Sequence, residues 1–126
     1  MKVLVAGNCN FDSSAIRKTF QSFPKVELVF CDSADEVWES LAKSEFKLVL
    51  LNRVFDRTEE RGIDLIRKIK TELPQAPNLM LISNFEDAQT AAVAAGALPG
   101  FGKSALTSES VRRQLAEALN QPAVNA

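Results

Sequence analysis

The chain has no histidine. That removes the commonest general base and every Ser-His or Cys-His nucleophile pair. Only two cysteines are present, Cys9 and Cys31. Two thiols without histidine fall short of the four Cys or His ligands that a structural zinc site takes, so no metal site is expected. Fifteen basic residues against sixteen acidic ones leave a net charge of -1. There is no cationic surplus with which to bind nucleic acid. No apolar run approaches the ~20 residues that span a bilayer. The opening Met-Lys-Val-Leu-Val-Ala-Gly is too short and too soon interrupted for a secretory signal. The expected location is therefore the cytoplasm, where a disulfide is disfavoured and the two thiols read as small buried or half-buried residues. Repeats, low-complexity tracts and linkers are also missing.

What is present is ordinary globular composition: 126 residues, 46% apolar and 25% charged, enough for one core. Short apolar runs rich in Val, Leu and Ile occur at Lys2–Ala6, Val26–Cys31, Lys47–Leu51 and Asn78–Ile82, with a weaker fifth near Gly100–Lys103. Unalternating runs of this length predict strands covered on both faces. Helical periods fall between them. Ala15, Ile16, Thr19, Phe20 and Phe23 follow a cap at Asp12 or Ser13. Ser33 and Glu36 predict a capping box before Val37, Trp38 and Leu41, with Trp38 read as core. Ile63, Ile66 and Ile69 precede the stop at Pro74. Ala88, Ala91, Ala92 and Ala95 follow Ser83 or Asn84 and end at Gly96. Val111, Leu115 and Leu119 follow Thr107 or Ser108. Five strands alternating with five helices predict a flavodoxin-like, doubly wound α/β domain: a three-layer sandwich around a parallel sheet of order 2-1-3-4-5. Residues 1–120 form the domain, and 121–126 a flexible tail. In such folds the ligand site lies at the carboxyl ends of the strands, here Gly7–Asp12, Asn52–Gly62, Ser83–Asp87 and Gly102–Ser104.

At those ends the chain resembles the receiver domain of bacterial response regulators. The matching phrases are Lys47-Leu-Val-Leu-Leu-Asn52, Gly62-Ile-Asp-Leu-Ile-Arg67, Leu79-Met-Leu-Ile-Ser83, and Ala95-Gly-Ala97 followed by Lys103. The resemblance implies a Mg²⁺-holding acidic pair after the first strand, a phosphoaccepting aspartate ending the third, and a hydroxyl and a lysine that contact phosphate. Ser83 and Lys103 stand at the last two positions. The acids are absent: the pair falls on Gly7 and Asn8, the phosphoacceptor on Asn52. Neutral groups do not replace the anionic oxygens Mg²⁺ requires, and an amide is no nucleophile toward phosphorus. The family's Pro after the phosphoacceptor is Asp56, and its Asp-Gly before the third helix is Arg61-Gly62. Its aromatic switch residue falls on Gly100, and the Pro after its Lys is Ser104. The loop from Asn52 to Gly62 is about two residues longer than usual for the family.

These residues leave alternatives. Asn52 is either a frozen mimic of one signalling state held by Lys103 and Ser83, or a tolerated neutral replacement. Lys103 binds an anion, pairs with Asp12 or Asp56, or reaches solvent. Gly7-Asn-Cys-Asn10 is an anion-binding nest or a plain turn, with Cys9 a candidate oxidant sensor. The charged loop around Asp56, Glu59 and Glu60 is solvated or contacts a partner. Phe85, Ala88, Ala92, Pro99 and Phe101 are candidates for an interface on the face of the fourth helix, fifth strand and fifth helix, including a homodimer. The leading expectation is a signalling module that is not an enzyme, needs no cofactor, and acts by phosphorylation-independent binding to a kinase, an output domain or another copy of itself. The alternative is a small-ligand or anion sensor using the vacated pocket. Neither nucleic acid nor membrane is an expected partner.

Overall fold

Val3, Val5, Leu48, Leu50, Met80 and Ile82 lie in one buried cluster, and Leu4, Ala6, Val49, Leu51, Leu79 and Leu81 in another. Successive strand residues point to opposite faces, so the two clusters are the two sides of one sheet. The computed structural model describes residues 1–124, and builds that sheet from β1 (Lys2–Ala6), β2 (Glu27–Cys31), β3 (Leu48–Asn52), β4 (Asn78–Ile82) and β5 (Leu98–Phe101). All pairings are parallel and the order is β2-β1-β3-β4-β5. Helices α1 (Asn10–Thr19), α2 (Ala34–Lys43), α3 (Gly62–Glu72), α4 (Glu86–Ala94) and α5 (Glu109–Leu119) alternate with the strands.

The helical stripes cover the two faces. Val37 of α2, Ile66 and Ile69 of α3 and Ala92 of α4 join one cluster. Ile16 of α1 and Val111 and Leu115 of α5 join the other. Each fully buried Leu, Ile or Val contributes about 1.5–3 kcal/mol, which is why β1, β3 and β4 read as unbroken apolar runs. Trp38 is half-buried against the first face.

Three expectations need correction. The fifth strand is Leu98–Phe101, two residues earlier than Gly100–Lys103, and Lys103 opens a 3₁₀ turn. Met80 pairs with Leu98 and Ile82 with Phe101, so two β5 residues, Pro99 and Gly100, face one β4 residue. That bulge hides the strand's period. Helix α1 starts after Cys9 with no side-chain cap, leaving Asp12 in its first turn, and α4 starts after Phe85. The other caps form: Ser33 accepts from the Glu36 N–H and Ser108 from the Val111 N–H. The proposed tail begins with Gln121 and Val124 donating to Ala116 and Ser22 carbonyls; its last two residues lie outside the described part.

Candidate functional site at the strand ends

Asn52 closes β3 and is buried. Its Nδ2 donates to the Gly7 carbonyl at 3.0 Å and the Val54 carbonyl at 2.8 Å. Its Oδ1 accepts from the Arg53 N–H at 3.1 Å. Two acceptors on one side and a donor on the other fix the amide's orientation. Neither Lys103 nor Ser83 holds it, contrary to the mimic expectation. Both amide hydrogens are spent on main chain, so the site is fitted to an amide specifically.

Gly7 supplies one of those carbonyls because of its conformation. Its φ is +82°, and a Cβ there would collide with the ring of Phe55. Phe55 is buried, although it sits in the most charged loop of the chain. That loop is an ordered hairpin: Val54 bridges Arg61, Phe55 donates to the Glu60 carbonyl, and Asp56 donates to the Gly7 carbonyl at 2.9 Å. Glu60 Oε1 accepts from the Ala34 N–H at 2.9 Å, capping α2 from outside, where the helix's positive end favours a carboxylate. Arg57 reaches Asp32 at 3.5 Å. Asp56, Glu59 and Glu60 remain exposed.

Lys103 Nζ meets Asp12 Oδ2 at 2.7 Å. Asp12 is one of the two acids anticipated for it. Its side chain is 12% exposed, against 39% for Lys103, so the acid is the member that depends on the pair. Ser83 Oγ accepts from the Phe85 N–H at 3.1 Å and so shapes the turn into α4. Asn8 is buried; its Nδ2 donates to the Ala6 carbonyl at 3.3 Å, and its Oδ1 has no partner. Asn52, Ser83 and Lys103 line one cavity of about 200 Å³ together with Arg53, Asn84 and Phe85. The chain thus brings Gly7, Asn8, Asn52, Ser83 and Lys103 to one end of the sheet.

The donor set does not suit Mg²⁺. Gly7 and Asn8 are neutral, the Asn52 oxygen is already bonded to an N–H, and Asp12 is paired with a cation. Among the described residues no three His, Cys, Asp or Glu side chains gather at one place. Magnesium takes hard oxygens in near-octahedral array, usually one or two carboxylates with waters completing the shell, and no unpaired carboxylate is found among Gly7, Asn8, Asn52 and Asp12.

No protein-family model and no curated protein matches this chain. Solved structures do. The non-phosphorylated receiver domain of the stress response regulator RcsB from Escherichia coli superposes with a TM-score of 0.76, 17% identity, and coverage of 100% of this chain and 98% of that one. The fold is that of a response-regulator receiver domain. RcsB from Salmonella typhimurium gives a TM-score of 0.75 at 17% identity over 99% of this chain. NtrX from Brucella abortus gives 0.79 at 18% over 94%. The chain spans 63% of that RcsB and 26% of that NtrX. No helix among the described residues is long and apolar enough to cross a membrane.

Within this receiver fold, two of the five candidate interface residues are misassigned. Ala92 is 0% and Phe101 5% exposed; both pack inward, because the alanine stripe of α4 faces the sheet and the inward side of β5 carries Phe101. Phe85 and Pro99 are exposed and Ala88 is half-buried. Two glutamines escaped the sequence reading. Gln89 of α4 donates to the Leu81 carbonyl at 2.9 Å and the Ser83 carbonyl at 3.2 Å, and accepts from the Gly100 N–H at 3.0 Å. It fills the ladder gap that the β5 bulge opens. A Cβ at Gly100 would collide with the Leu81 carbonyl, so an aromatic switch residue has no room there. Gln114 of α5 donates to the Pro99 carbonyl at 3.2 Å and the Gly100 carbonyl at 2.9 Å. Neither glutamine carries a local signal; both act through tertiary contacts. Phe55 had one: a lone large apolar residue in a charged loop.

Proposed function

We propose that the chain is a receiver-like signalling module that has given up phosphoryl transfer and works by binding a protein partner. The Asn52 amide carries this reading. Its two hydrogens go to the Gly7 and Val54 carbonyls, a bonding pattern that a carboxylate reverses. The position where receivers accept phosphate is thus built around a group that cannot accept it. The missing aromatic switch at Gly100 supports the same view, because nothing remains there to relay a phosphate signal. The exposed edge of α4 and β5, with Phe85 56% and Val93 44% exposed and Pro99 between α4 and α5, is the surface we assign to the partner: a kinase, an output domain or a second copy.

The test is intact-mass analysis after incubation with Mg²⁺ and acetyl phosphate. No mass gain is expected. A phosphoryl adduct that EDTA abolishes overturns the proposal. An anion sensor working in the strand-end pocket is less favoured, since the 200 Å³ cavity is small and its Lys103 is already neutralised by Asp12.

A further inference from the structure

A larger cavity of about 440 Å³ opens between α3 and α4; it shares Arg53 and Phe85 with the strand-end cavity but is not lined by Lys103 or Asp12. Its charge is out of keeping with the chain. Arg53, Arg61 and Arg67 line it against a single acid, Asp87, whereas the whole protein carries a net charge of -1. Among the described residues, Arg53 and Arg61 have no carboxylate within ion-pair distance, and Arg67 has only a long 3.9 Å contact to exposed Asp64. The floor is apolar, formed by Ile63 and Leu81 with Ala88 and Ala91 of α4. Those alanines leave the gap that larger side chains would fill. The wall is aromatic: Phe85 stands 56% exposed with the Arg53 guanidinium over its ring at 4.8 Å.

We propose that this cavity binds a small organic anion with a flat apolar body, of nucleoside monophosphate size and type. Volume, charge and lining agree on that class. The cavity lies within the ~300–1,000 Å³ range of small-molecule sites. Arginine forks suit phosphate or carboxylate oxygens bidentately, and guanidinium planes and aromatic faces stack on flat rings. The anionic group is assigned to Arg61 and Arg67, and the ring to the Phe85–Arg53 wall above the alanine floor. Arg53 also donates its main-chain N–H to Asn52 Oδ1, so the residue whose guanidinium lines this cavity directly follows β3. The assignment is independent of whether the chain has lost phosphoryl chemistry.

Isothermal titration and thermal shift on the full chain test it, with AMP and GMP as probes and adenosine and inorganic phosphate as the two halves. The expected result is binding of at least one nucleotide, a raised Tm, and at least tenfold weaker binding of each half. Arg61→Ala and Phe85→Ala are each expected to weaken nucleotide binding at least tenfold, with Arg113→Ala on α5 unchanged. Both cavity positions are exposed, so the variants should fold, which circular dichroism checks. No binding of either nucleotide at millimolar concentration overturns the proposal. So does binding that both cavity variants leave intact, equal binding of inorganic phosphate, or binding of an oligo-glutamate peptide in place of both nucleotides.

Discussion

Restoring the acid at position 52 should damage this protein and leave it inactive toward phosphate. In Asn52→Asp, the Nδ2 that donates at 3.0 and 2.8 Å to the Gly7 and Val54 carbonyls becomes an oxygen facing two oxygens. Two hydrogen bonds are lost, at about 1 kcal/mol each. The introduced carboxylate is also buried against carbonyl dipoles, and every unit by which its pKa rises costs about 1.4 kcal/mol at neutral pH. The sum is about 3–4 kcal/mol, a large part of the ~5–15 kcal/mol that stabilises a domain. At roughly 4 °C per kcal/mol, Tm falls by about 12–16 °C. The pH dependence identifies the cause. The carboxyl pKa is higher folded than unfolded, so the variant keeps most of its stability below the unfolded value and loses it as pH rises through the folded one. In acid the protonated group can donate one hydrogen bond back. Asn52→Leu removes the same two bonds without a charge and should show a deficit independent of pH. Urea unfolding followed by Trp38 fluorescence at pH 4.5 and pH 8 measures both. Equal midpoints for Asn52→Asp and the parent at pH 8, or a deficit that grows toward acid, refute the reasoning.

Three further outcomes can be checked. Lys103→Met strands the buried Asp12 carboxylate and should cost about 1–2 kcal/mol, while Asp12→Asn leaves a lysine free to reach water and costs less. The double variant should cost less than the sum, and strict additivity in urea midpoints rules out the pair as a stabilising contact. Gly7→Ala meets both a left-handed φ and the Phe55 ring, a penalty of about 2–4 kcal/mol; an unchanged Tm would show that the turn relaxes freely. Burial, with Glu36 and Asp32 adding, raises the Cys31 thiol from 9.0 to about 12. A thiol-reactive dye at pH 8 should therefore label one cysteine, the half-buried Cys9, in the native protein and two in denaturant. Because the fold favours the neutral Cys31 thiol, its contribution to stability is intact below pH 9 and is lost as pH climbs toward 12. Two fast labels in the native state would contradict that burial.

The sheet was legible in the sequence wherever strands are buried on both faces, because the inner positions of β1, β3 and β4 (Val3–Ala6, Leu48–Leu51 and Leu79–Ile82) carry only apolar residues. The same signal failed at β5, where Pro99 and Gly100 make a bulge and Gln89 replaces ladder bonds from another element. Caps were readable when a side chain makes them, as at Ser33 and Ser108, and unreadable at Cys9 and Phe85, where none does. At the site, sequence position predicted which residues converge at the strand ends, and the Lys103–Asp12 pair was among the options. The bonding of Asn52 was not predictable, since it depends on where two main-chain carbonyls point. Phe55 was overlooked because its charged neighbours dominated the reading of its loop.

The two glutamines at β5 have a bearing on assembly. An outermost strand ordinarily offers a row of open main-chain groups to any extended peptide that drifts past. Here Pro99 has no N–H to give, and Gln114 occupies the neighbouring carbonyls. Recruitment by adding a strand is thereby closed on this flank. A visitor at this border must recognise side chains, so main-chain pairing at the sheet's edge is left to β2, the opposite outermost strand.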